Sequence, residues 1–122
     1  MGRRSFGYPR PAPDEPADAD VLRVLLARPG ALASVGDARA AIDAIDAALA
    51  VLLERRAEIA VVVQRLKPVG GFAGRSAERE AQIVAAMAAR APALGAARLA
   101  RVMDAVIEAG LEVAEERRSA GA

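Results

Sequence analysis

The chain has 122 residues, enough for one domain, or for part of one that completes its core by pairing with a second copy. Hydrophobic residues make up 54% of it and aromatic ones only 2%, so small and medium aliphatic side chains dominate; these suit close helix packing better than sheets or base-stacking platforms. With no Cys and no His, disulfide frameworks, thiol chemistry, the usual zinc sites and Ser-His or Cys-His pairs are excluded, and a net charge of +1 with both signs interspersed offers no basic face for nucleic acid.

Residues 1–19 hold Pro9, Pro11, Pro13 and Pro16 and show no apolar periodicity, so they read as a disordered or loosely docked tail. Arg3-Arg4-Ser5-Phe6 faintly resembles a twin-arginine signal, but prolines follow where an apolar run should be. With no secretory signal and no membrane span in view, the chain is expected to stay in the cytoplasm. A basic arm that contacts a partner is the other reading of this tail. Asp18 or Asp20 can cap a short helix over Val21–Leu26, ended by Pro29-Gly30, whose leucines are expected to pack on the main body. Residues 28–36 then form a linker. The division expected is a proline-rich extension over 1–34 and a helical domain over 35–118.

Asp37 to Lys67 is the stretch around which the rest is organised. It has neither Pro nor Gly, and Ala, Leu, Glu and Arg fill most of it, so helix is predicted throughout, with Asp37 as N-cap and Pro68 and Gly70-Gly71 as the stop. Ile42, Ile45, Leu49, Leu52, Ile59, Val63 and Leu66 step by 3 and 4 to form an apolar seam. Arg56 occupies the step between Leu52 and Ile59, and Lys67 lies about 20° from it around the helix. Two cations on an apolar face are costly unless an anion meets them. A helix this long and apolar along one face is too much for short partners from its own chain, so a dimer is expected. In an antiparallel pair centred near residue 50, Arg39 of one chain comes opposite residue 61 of the other, between Arg56 and Lys67.

The loop Pro68–Arg75 leads to Ser76, which opens a second helix running to about Arg90, where Ala91-Pro92 breaks it. Glu80, Ile83 and Met87 share one face of that helix, so Glu80 aims a carboxylate at the core with Arg79 at its shoulder. A third helix is predicted from about Ala96 to Arg117, with Leu99, Val102, Met103, Val106, Ile107 and Val113 as its buried stripe, Leu94 stapling its start and the tail from Ser119 frayed. The fold class is therefore all-α: a short N-terminal helix, then long, medium and long. A buried ion-pair network of Glu80 with Arg56 or Lys67 is one reading of the charges. The other is an anionic ligand, because Arg56, Lys67 and Arg79 outnumber the single inward carboxylate.

Arg39, the Ile42/Ile45/Asp46 step, Arg55-Arg56, Lys67 and Arg79-Glu80 fall, without a gap, in the pattern of the all-helical (AroQ-type) chorismate mutases, which residues 35–117 resemble. The resemblance implies a three-helix chain in an intertwined homodimer, with sites that borrow an Arg from the partner. It implies rearrangement of chorismate to prephenate, a pericyclic step without cofactor, metal or proton transfer. Arg56 and partner-chain Arg39 would grip the substrate's carboxylates, with Arg79 adding to the clamp. Lys67 would meet the ether oxygen, and Glu80 would accept a hydrogen bond from the ring hydroxyl. Val63 and Ile107 would wall the pocket, and Ser76 would join the binding set.

The family's third helix usually carries a Ser and, four residues on, a Gln or Glu. Gly110 and Ala114 stand at those positions here. Bringing Glu112 or Glu115 into register instead would turn Val106 and Ile107 off the core. A glycine there is expected to open space. The reading is thus a chorismate mutase-like isomerase acting on chorismate or 4-amino-4-deoxychorismate. The alternatives are an isochorismate pyruvate lyase, or a non-catalytic helical dimer that regulates or scaffolds a partner.

Overall fold

The computed structural model describes residues 22–23, 25–67 and 75–121. The proline-rich tail, Asp20, Val21, Val24, residues 68–74, where a loop is expected, and Ala122 lie outside the described residues. Helices account for nearly all of the rest, and among the described residues there is no strand. None of the described helices is long and apolar enough to cross a membrane.

The N-terminal unit extends to Ala47. Leu22, Arg23 and Leu25 are helical, and Leu26 donates its backbone N–H to the Leu22 carbonyl at 3.0 Å, the bond of one helical turn. Its leucines are not packed away: Leu25 is 75% exposed, and Leu22 and Leu26 are exposed as well. A single turn offers no face wide enough to bury three leucines. Within the expected linker, Pro29–Ala31 forms a 3-10 turn. The long helix α1 spans Val35–Leu66, starting two residues earlier than its predicted cap. The N-cap is Ser34, whose hydroxyl oxygen accepts the Asp37 N–H at 3.0 Å. Asp37 sits in the first turn, where its charge favours the positive end of the helix.

The second unit, 48–122, contains the remainder of α1 and two further helices, α2 (Ala77–Arg90) and α3 (Gly95–Gly121). Ser76 caps α2 by accepting the Arg79 N–H at 3.2 Å. At the other end, Ala91 donates to the Met87 and Ala88 carbonyls, and Pro92, in the turn that follows, cannot continue the helix. Gly95 then turns the chain with φ of +77°, a left-handed conformation that glycine adopts without a Cβ clash. The result is an antiparallel hairpin of α2 and α3. Leu94 remains 47% exposed, so it staples nothing at the head of α3. The far end of α3 is helical through Ser119 to Gly121, carried on from Glu115, Glu116, Arg117 and Arg118, which are good helix formers.

Among the described residues, the buried ones lie on α3 alone. Leu99, Met103, Gly110 and Ala114 step by 4, 7 and 4 along one face, with Val106, Ile107 and Val113 partly buried beside them. Val102, predicted on this stripe, is 52% exposed, because the inward position at that turn is taken by Met103. By contrast α1 buries no residue. Its seven seam residues range from 42% exposed at Ile45 to 77% at Leu66. The seam predicted from the spacing is present as a stripe but is uncovered within one chain.

Candidate active site

The hairpin makes a groove of about 350 Å³. Small residues keep it open: Ala81 and Ala85 on α2 and Ala96 and Ala100 on α3 leave room that larger side chains would fill. Val84, Met103 and Ile107 give it apolar walls. Its charged end is formed by Arg75, Glu80 and Asp104.

Glu80 lies in the first turn of α2, where its negative charge is favoured by the exposed N–H groups of the helix start. Its partner is neither Arg56 nor Lys67 but Arg75. The Arg75 Nε donates to one Glu80 oxygen and Nη2 to the other, both at 2.8 Å. Such a two-pronged bond matches the planar guanidinium to the carboxylate and fixes both. The same guanidinium reaches α3, with Nη2 at 2.7 Å from Asp104 Oδ1 and Nη1 at 3.5 Å from Glu108 Oε1. The hydrogen bond from Arg75, helped by its charge, holds the Glu80 carboxyl below its ordinary value. The carboxylates of Glu80 and Asp104 in turn raise the Arg75 guanidinium further above the range in which it could lose its proton.

Nothing in the residue pattern singled out Arg75. A signal was present, since Asp104 and Glu108 are spaced four apart and therefore share a face of α3. Which residue they would meet depended on the register of the hairpin.

Of the predicted site residues, the structure brings Glu80 and Ile107 together in the groove. Ser76 is exposed, with its oxygen engaged in the α2 cap, and the Arg79 side chain is exposed. Arg56 and Lys67 on and just beyond α1 are partly buried, and Val63 is 48% exposed; none of the three lines the groove. Arg39 is exposed and belongs to the N-terminal unit. Gly110 and Ala114 are buried on α3, whereas Glu112 and Glu115 are exposed. At Gly110 there is room for one methyl towards α1: a Cβ built there would lie 3.5 Å from the Ala60 Cβ, an ordinary van der Waals contact.

The family model described as chorismate mutase type II matches residues 38–115. No curated protein and no solved structure matches the chain.

Proposed function

The chain belongs to the chorismate mutase type II family, isomerases that act on chorismate-like substrates, and on that premise we propose that it rearranges chorismate to prephenate or 4-amino-4-deoxychorismate to the amino counterpart. One observation carries the reading: Arg39, Arg56, Lys67, Arg79 and Glu80 keep the family's spacing without a gap, inside the matched span.

The reaction breaks an ether C–O bond as a new C–C bond forms within the same molecule, and no proton or electron is exchanged. A protein accelerates it by holding the substrate compact and by placing cations where negative charge builds. Arg56 and Arg79 are assigned the substrate's carboxylates, and Lys67 the ether oxygen. Glu80, kept ionised by Arg75, is an acceptor for the ring hydroxyl or a counter-charge for a ring ammonium. Val63 and Ile107 supply apolar walls, and Ser76 has a hydroxyl proton left to donate after capping α2.

A second chain completes this reading. The seam of α1 carries seven large aliphatic residues that all remain exposed, an arrangement that favours an intertwined homodimer in which Arg39 of one chain serves the other's site. The amino substrate is favoured by the charge at the groove. Three carboxylates, Glu80, Asp104 and Glu108, meet one guanidinium there, which leaves an excess of negative charge suited to an ammonium. Gly110 and Ala114 supply no polar group at the positions where the family usually has two.

The test is to follow consumption of chorismate and of 4-amino-4-deoxychorismate side by side, with products identified by mass spectrometry. Formation of prephenate or its amino counterpart, abolished by Arg56→Ala, is the expected result. Pyruvate release from isochorismate would instead identify a lyase. Loss of neither substrate by a stable dimer would leave a scaffold.

A further inference from the structure

Glu80 can act on a ligand only if its carboxylate is held in one place at the groove, and the residue that holds it lies outside the family pattern discussed above. Arg75 precedes the α2 cap by one residue, so its backbone stands at the open end of the hairpin. From there its side chain meets Glu80 on α2 and Asp104 and Glu108 on α3. The three partners are not equivalent. Glu80 is the least exposed, at 23%, and alone receives a two-pronged bond; Asp104 and Glu108 are 67% and 54% exposed and each receives one contact. Exposed ion pairs contribute little to stability. Their effect here is geometric, because two carboxylates one helical turn apart fix the plane of the guanidinium, and that plane fixes the Glu80 carboxylate. Any torsional freedom of Glu80 would be paid for when ligand binds, and Arg75 removes it beforehand.

We propose that Arg75 is a positioning residue for the reaction assigned above: oriented by Asp104 and Glu108, it holds the Glu80 carboxylate in a single orientation at the groove so that Glu80 can receive the substituent of the substrate ring. The inference rests on the assignment of Glu80 to the substrate. A hairpin staple with no part in function would share the same contacts but would act independently of Glu80.

The experiment compares Arg75→Gln, Arg75→Lys, Glu80→Gln and the double variant Arg75→Gln/Glu80→Gln in the full chain, by kcat/KM against pH. In parallel, the Glu80 carboxyl is titrated by carbon NMR in wild type and Arg75→Gln, with folding checked by circular dichroism. Arg75→Gln is expected to lower kcat/KM on the order of 10- to 100-fold. Removing the cation leaves Asp104 and Glu108 as the charges facing Glu80 across the groove, with Glu78 and Arg79 exposed on its own helix. The acid limb of the profile, and the NMR titration of Glu80, should therefore move to higher pH. Arg75→Lys should return the limb towards its wild-type position while kcat/KM stays reduced, because an ammonium restores charge but not the two-pronged fit. In the double variant the two losses should not add, since Arg75 acts through Glu80. Additive losses, or an Arg75→Gln enzyme with the wild-type acid limb, would overturn the proposal. If wild type turns over no chorismate derivative, the catalytic reading falls instead. The NMR titration then decides alone: a Glu80 that titrates unchanged in Arg75→Gln refutes the holding role.

Discussion

Gly110 is the position at which a single added methyl tests the packing of the second unit most directly. It lies well inside α3, is buried, and has an ordinary helical backbone rather than a positive φ. A Cβ added there would touch the Ala60 Cβ at 3.5 Å, an ordinary van der Waals separation with no neighbour forced to move. Two terms then favour Gly110→Ala. Glycine in a helix interior is less favourable than alanine by about 1 kcal/mol, chiefly because the unfolded chain has more freedom to lose. Burying one methyl adds up to about 0.8 kcal/mol. The variant should thus be more stable by about 1–2 kcal/mol, and each kcal/mol should raise Tm by roughly 4–8 °C for a domain of this size. The assay is thermal unfolding followed at 222 nm, with wild type and variant at matched concentrations. A Tm lowered by several degrees would refute the reasoning. It would mean that α1 and α3 approach more closely at Ala60 than 3.5 Å allows, and that glycine is required there for space.

Three further outcomes are expected. Ile59→Glu changes a residue that is 55% exposed in one chain, so it should alter the stability of an isolated chain by no more than about 0.5 kcal/mol, yet it should halve the mass seen by sedimentation if the seam pairs with a second copy; equal masses for wild type and variant would rule out pairing through that seam. Glu80, whose pKa is lowered in the folded state, stabilises the fold fully above its ordinary value of 4.5, and the stabilisation is lost as pH falls through the lower native value. The Tm difference between wild type and Glu80→Gln should accordingly be largest near neutrality and vanish in acid, and a difference that persists at pH 2 would contradict the assignment. Ala114→Gln puts a donor where the family usually has Gln or Glu; if Lys67 works alone at the ether oxygen, kcat should rise at least about tenfold, at some loss of stability for a polar group on a buried face. An unchanged kcat would show that Ala114 does not face the reacting atoms.

The helices were legible in the sequence because their ends are marked by backbone chemistry. Pro68 and Pro92 cannot continue a helix, and Ser76 with its free oxygen can start one. The start of α1 was misplaced because Asp37 and Ser34 are both good caps and only the observed N–H bond distinguishes them. Spacing likewise located the buried face of α3 but could not separate Val102 from Met103, since steps of 3 and 4 from Leu99 reach one or the other. Glu80 was legible as a carboxylate on an apolar face. Arg75 was not, because its role depends on how α2 folds back along α3, which brings Asp104 and Glu108 beside the start of α2. Local pattern shows which face a side chain occupies, whereas pairings between helices depend on the register of the turn at Gly95.

The uncovered seam of α1 has a consequence for how the protein responds to its own abundance. Among the described residues every buried one lies on α3, so the hairpin holds its own core while α1 contributes no buried side chain. Partial burial leaves such a segment more open to fraying than the hairpin, and the homodimer proposed above would supply the further burial. In such a dimer, order in α1 follows mass action. Dilution would loosen the helix that carries Arg39 and Arg56 before it disturbs the hairpin that carries Glu80. Activity per chain would then rise with the amount of protein present, and a cell could tune this enzyme by expression level more steeply than in proportion to the number of chains.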